Sequence, residues 1–411
     1  MKMTRVYLDH AAATPLLPEA REAMVPFLDG EFGNPASIHA RGEKPRAAVK
    51  DAREKVAGLV GARPEGIIFT ASASESNNHA LKGLAAGRAG HIIVSAIEHV
   101  SVLEPARTLA KAGFELTELP VDGEGRVRPE SLTAAIRPDT VLVSVMHANN
   151  EVGAVQDIAE LARVAHEREV PFHSDGTAAV GRLPVDLGAL GVDVYSFAAQ
   201  SVYGPKGAAA LYIRPGTRIR PLVEGGFQER NRRAGTENVA AIAGFGAAAE
   251  VTARRLADWS GEMSRLADRI FTELPSRLDR LVFTGPGTGR LPGHVSVCVE
   301  FVEGEAMLLS LDDEGIAAAS GSSCTARTLK VSHVLLAMGL PHTLAQTSLV
   351  LTLGRDTTDA GVDHLLEKLP PIVIRLRRMS PLYAKLERGE DPYAAAAGAA
   401  CEDDHSTVEE G

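Results

Sequence analysis

Between about Pro15 and Leu256, short runs of β-branched and apolar residues alternate with Ala-, Leu-, Glu- and Arg-rich stretches of helical period. The runs GIIFT (66–70), HIIVSAI (91–97), TVLVSVMHA (140–148), VPFHSD (170–175), DVYSFAA (193–199) and GAAALYIR (207–214) predict strands. Stretches near 76–87, 101–112, 157–168 and 238–255 predict helices between them. Such alternation predicts an α/β domain over 15–256, with a largely parallel sheet covered by helices on both faces.

From about Ala257 the order changes to a long polar helix, HVSVCVEF (294–301), a helix near 304–311, a loop with Cys324, another helix and TSLVLTLGR (347–355). That reads as a smaller α+β domain over 257–390, completed by residues 1–14. The Ala-rich and then acidic end, 391–411, carries few anchoring groups and is expected to be disordered.

At 411 residues, 45% hydrophobic and 23% charged, the chain can bury a substantial core. A formal net charge of -10 gives no reason to expect direct nucleic-acid binding. Apolar runs such as Val239 to Val251 are Ala- and Gly-rich and shorter than the roughly 20 residues that span a bilayer. With no export-type N-terminus either, the expected setting is the cytoplasm, without a membrane partner. Cys298, Cys324 and Cys401 lie far apart with no CxxC pair, so neither a disulfide framework nor a metal site is expected.

Reactive side chains cluster just after the strands, the edge of an open α/β sheet where ligands bind. TASASES (70–76) pairs small residues with a helix start, which suits either a phosphate cup or plain N-capping by Ser72 or Ser74. Asp175 ends a strand, where a carboxylate either caps a turn or holds the protonated nitrogen of a pyridine ring. His99 opens a helix; Asn149 and Asn150 end a strand, where paired amides steady turns. Cys324, in SGSSCTART beside Arg327, has the setting of a thiolate nucleophile, whereas Cys298 alternates within a strand as a core thiol would. Arg355, in LTLGRDTTD, suits a two-pronged grip on a carboxylate or a surface ion pair. No GxxxxGK[ST] or GxGxxG competes, so a small phosphorylated cofactor fits better than a nucleotide.

YLDHAAATP, FGNPASIHARG, TASASESNNHALKG, EHVSVLEP, HANNEVGAVQDI, FHSDGTAAVGRLPVDL, YGPKG, RRAGTEN, SGSSCTA and LGRDTTD occur in this order over about residues 6 to 385. Together they closely resemble the cysteine desulfurases of the class V aminotransferase group. The resemblance implies a homodimer of the pyridoxal 5'-phosphate (PLP) fold type I, with a seven-stranded, mostly parallel sheet. It also implies conversion of L-cysteine to L-alanine, with sulfur left on Cys324 as a persulfide for an acceptor protein. On the matching positions His99 would stack on the cofactor, Asp175 would pair with its ring nitrogen, and Asn150 would lie near the ring oxygen and substrate. Ala73, Ser74 and Gln200 would contact the phosphate, with Thr236 arriving from the other subunit, and Arg355 with Asn34 would hold the substrate carboxylate. Iron–sulfur assembly, tRNA thiolation and DNA phosphorothioation all draw on such enzymes, and the sequence does not choose among them.

One segment departs from the pattern. Where the family reads Ser-Gly-His-Lys before Gly-Pro-Lys-Gly, this chain has Ala198, Ala199, Gln200 and Ser201, so the lysine that forms the family's Schiff base is absent. Ala178 likewise replaces a Gln. Lys206 belongs to the Gly-Pro-Lys-Gly turn and is not that lysine's counterpart. Serine neither forms an imine nor shuttles protons as a neutral lysine does, so the chain as written is expected to be inactive or substrate-trapping. A lysine-to-serine change in an otherwise intact enzyme competes with a noncatalytic PLP-binding or sulfur-relay scaffold. Another class V activity, selenocysteine lyase or aminotransferase, is a further alternative.

Overall fold

The computed structural model describes residues 5–321 and 331–392. Among them twelve strands form: β1 (Val6–Tyr7), β2 (Ile67–Thr70), β3 (His91–Ser95), β4 (Glu115–Leu119), β5 (Thr140–Ser144), β6 (Phe172–Asp175), β7 (Val194–Ala198), β8 (Ala209–Ile213), β9 (Leu281–Phe283), β10 (His294–Val299), β11 (Ile316–Ala317) and β12 (Ser348–Thr352). Seven make one sheet in the order β2-β8-β7-β6-β5-β3-β4. The run from β4 to β7 is parallel, while β8 is antiparallel to both its neighbours. Thr140–Ser144 and Val194–Ala198 are buried at every position, as strands covered on both faces must be.

Helices supply the two covers. Leu81 and Leu84 of Ala73–Ala85, with Val102 and Ala106 of Val100–Lys111, pack on Ile92 and Val94. On the other face, Val49, Ala52 and Val56 of Ala40–Leu59 meet Phe245 and Ala248 of Val239–Arg277. The latter two helices touch closely enough that a Cβ on Gly246 would lie 2.6 Å from Ala52 Cα, so only glycine permits this approach.

The helix Val239–Arg277 runs unbroken for 39 residues through the boundary expected after residue 256. Its first half buries Ile242 and Phe245 against the large sheet. Its second half buries Met263, Leu266 and Ile270 in a separate core with Val295, Val297, Leu349 and Leu351. That core lies on an antiparallel sheet ordered β12-β10-β9, and the parallel pair β1 and β11 brings Val6 and Leu8 into it.

Cys298 is fully buried in β10, and desolvation pushes its thiol up to about 12. Cys324, Arg327 and Cys401, and the expected tail from 393 onward, lie outside the described residues. No helix among the described residues is long and apolar enough to cross a membrane.

Candidate active site

The helix expected near 76 begins at Ala73, because Ser72 caps it by accepting the Glu75 N–H at 3.1 Å. Glu75 in turn accepts the Ala71 N–H at 2.8 Å and the Arg233 guanidinium at 2.8 Å. The N–H groups of Ala73 and Ser74 therefore stand at the positive end of the helix, outside its own ladder. Ser72, Ala73 and Ser74 line a cavity of ≈ 360 Å³ at the carboxyl edge of the parallel strands.

Asp175 closes β6 at the cavity wall and uses its two oxygens differently. Oδ1 accepts the Thr177 N–H at 2.8 Å, which is the turn-capping role, and Oδ2 accepts from Asn77 Nδ2 at 2.7 Å. Asn77, one helical turn after Ala73, donates its second amide hydrogen to Ser101 Oγ at 2.9 Å. Ser101 Oγ lies 2.7 Å from His99 Nδ1, which also accepts the Ser101 backbone N–H at 3.1 Å. With Nδ1 an acceptor, the neutral His99 ring carries its proton on Nε2. Asp175, Asn77, Ser101 and His99 thus form one hydrogen-bonded chain, and Asp175, Ser101 and His99 face the cavity. Gly176 allows it: a Cβ there would sit 2.0 Å from the Tyr195 hydroxyl.

The paired amides divide their work. Asn149 is buried and accepts the N–H groups of Glu151 and Val152 at 2.8 and 2.9 Å, so it steadies the turn. Asn150 lines the cavity. Burial raises the Glu151 carboxyl to about 8, against a hydrogen bond from Ser332 Oγ that lowers it. Burial also raises Glu98 well above the usual carboxylate range, against the Met146 N–H at its Oε1.

Ala178, Ala198, Gln200 and Ser201 also line the cavity. Arg182 lines the cavity too, with its guanidinium donating to the carbonyls of Pro292 and Leu353 at 2.7 and 3.1 Å. Arg355 is not among the lining residues. Its guanidinium lies 5.3 Å from the Tyr203 ring centre and 5.8 Å from that of Trp259, and its Nε has no hydrogen-bond partner. Asn34 and Thr236 are exposed and stand outside the cavity of the single chain.

The structure therefore brings Ala73, Ser74, His99, Asn150, Asp175, Gln200 and Ser201 together, but not Asn34, Thr236 or Arg355. Sequence reasoning missed Asn77 and Ser101. The one available signal was helical spacing, which sets Asn77 on the face of Ala73.

The family described as Aminotransferase class-V matches residues 6–365. The cysteine desulfurase IscS of Dictyoglomus turgidum is 47% identical over 379 residues, covering 92% of this chain and 96% of that one. Among solved structures, a NifS-like protein superposes with a TM-score of 0.85 at 35% identity, over 91% of this chain and 100% of that one. SspA, solved in complex with cysteine, superposes with a TM-score of 0.76 at 34% identity, over 86% of this chain and 100% of that one.

Proposed function

This chain belongs to the class-V aminotransferase family, and from that premise we propose that it is a PLP-dependent cysteine desulfurase. Its substrate is L-cysteine, its product L-alanine, and the sulfur passes to Cys324 as a persulfide for an acceptor protein. The observation that carries this reading is the chain from Asp175 through Asn77 and Ser101 to His99 across one cavity.

The residues present suit the cofactor. The helix start at Ala73 and Ser74, with the Gln200 amide, suits its phosphate, and Asp175 suits its protonated ring nitrogen. Thr177 Oγ1 lies buried without a partner in a residue lining the same cavity, leaving a polar contact to be filled. When bound, PLP supplies an electron sink for charge left at the substrate Cα. Asn77 holds Asp175 in place, and Ser101 fixes the His99 ring through Nδ1. Asn150 would orient ring oxygen and substrate, while Arg355 and Asn34, outside the cavity of the single chain, would have to approach it to hold the substrate carboxylate. Ala319 and Ser320, the latter four residues before Cys324 in the sequence, line the cavity.

Residues 15–256 form the cofactor domain, and 1–14 with 257–390 form the smaller domain. The chain acts as a cytoplasmic homodimer. In support of a homodimer, Phe32 (74%), Ile38 (98%) and Phe227 (86%), near Asn34 and Thr236 in sequence, are exposed in the single chain. Ser201 removes the covalent anchor and the proton shuttle, so the chain as it stands turns over cysteine slowly or traps it. That same residue, with Ala178 and Ala198, favours the second reading, a noncatalytic PLP-binding scaffold.

The test is alanine release and Cys324 persulfide formation from L-cysteine, in the native chain and in Ser201→Lys. The expected result is strong gain in Ser201→Lys. If that variant retains PLP yet forms no persulfide, the desulfurase assignment fails.

A further inference from the structure

The described residues lining the cavity include no lysine. Lys206, five positions after Ser201, lines a second cavity of ≈ 540 Å³, and His10 and Ala13 border both spaces. The backbone between Ser201 and Lys206 is pinned. Gly204 N–H donates to Ala199 O at 2.8 Å, Leu17 N–H to Tyr203 O at 2.9 Å, and Arg355 N–H to the Tyr203 hydroxyl at 2.9 Å. Tyr203 holds the left-handed φ of 61° that turns the chain away. The Arg182 guanidinium, occupied by two carbonyls, is not a nucleophile at neutral pH. Among the described residues, an aldehyde in this cavity therefore meets no side-chain amine. Small side chains at Ala178, Ala198 and Ser201 are among the cavity's lining.

We infer that this cavity retains PLP chiefly as its condensed conjugate with a free α-amino acid, the amino acid taking the place of a protein anchor. The inference rests on the PLP-site reading above. The amino nitrogen attacks the aldehyde carbon, a carbon–nitrogen double bond forms, and one water leaves. The reverse step consumes that water. With no side-chain amine among the described lining residues to displace the amino acid, hydrolysis is the route of release that those residues leave open. Cofactor and amino acid must then bind with positive coupling, and the factor by which each tightens the other is the same. A lysine at position 201 changes this coupling, because amino acid and side chain then compete for one aldehyde.

Equilibrium dialysis of PLP against the full-length chain, with and without L-alanine, tests the inference. L-Alanine is the probe because it has no thiol to close onto the aldehyde. The expected result is at least tenfold tighter PLP retention with L-alanine in the native chain, and no tightening in Ser201→Lys. Borohydride followed by peptide mass analysis should leave the native chain without a phosphopyridoxyl group and place one on residue 201 in Ser201→Lys. Retention by the native chain that is indifferent to L-alanine overturns the inference. So does reductive attachment to Lys206, or retention by Ser201→Lys alone. If neither chain retains PLP under any condition, the fault lies instead with the reading of the cavity as a PLP site.

Discussion

Asn77 Nδ2 donates to Asp175 Oδ2 at 2.7 Å, joining a helix and a strand 98 residues apart in sequence. The opposite amide orientation would set Asn77 Oδ1 against the carboxylate, so the partners fix it. Asn77→Leu removes the donors to Asp175 and Ser101 together. The expected cost is ~1–3 kcal/mol of stability, from buried acceptors left unmet, with PLP affinity weakened about tenfold. Denaturant titration and PLP dialysis measure both, and unchanged PLP affinity would remove Asn77 from the site.

Gly176→Ala drives a methyl group to 2.0 Å from the buried Tyr195 hydroxyl. Overpacking of this kind costs ~1–3 kcal/mol, and here it also displaces Asp175 next door. The expected outcome is a lower Tm, with the loss in the Gly176→Ala/Tyr195→Ala double variant smaller than the sum of the two single losses. Strict additivity of the two changes would contradict the contact.

These two sites show what the sequence makes legible. Runs such as HIIVS and TVLVS declare strands because burial on both faces demands unbroken apolar residues. The strand Glu115–Leu119 escaped because it is an edge strand, paired with β3 alone, with Glu and Thr at three of its five positions. The helices Pro18–Leu28 and Ala40–Leu59 escaped as well, with Pro26 and Pro45 interrupting a polar pattern. The junction between the two cores was hidden because it falls inside one continuous helix. Asp175 was open to two readings in sequence, a turn cap or a ring partner. In the fold it caps the turn with one oxygen and turns the other toward Asn77. Asn77 carries no local signal for a partner so distant.

Burial sets the pH dependence of stability. His10, His79, His147, His173 and His294 are each lowered to about 4, mainly by desolvation. The unfolded chain binds these protons near ~6.5, so this stability is complete above that pH and is lost as pH falls toward 4. Glu151 has the opposite sign. Its carboxyl, raised from 4.5 to about 8, keeps a proton that the unfolded chain releases, so its penalty grows from 4.5 to 8. Tm should therefore peak near neutral pH. Glu151→Gln should raise Tm more at pH 8 than at pH 5. Equal shifts at both pH values would contradict a protonated Glu151.

Thiol labelling separates the cysteines. Cys298, fully buried with its thiol pushed up to about 12, should resist brief iodoacetamide treatment until the chain is denatured. Peptide mapping should find Cys324 modified first. In the Ser201→Lys background that modification should abolish persulfide formation while PLP retention persists. Persulfide formation that survives modification would reject Cys324 as the acceptor.

The claim on which the rest depends is that the cavity beside Asp175 is a PLP site. Electron density from crystals soaked with PLP and L-alanine tests it most directly. The account expects the phosphate at the Ala73–Ser74 helix start, the ring nitrogen against Asp175, His99 stacked on the ring, and no bond to Ser201. A cavity empty at saturating PLP, or a ring bound away from Asp175, would contradict it.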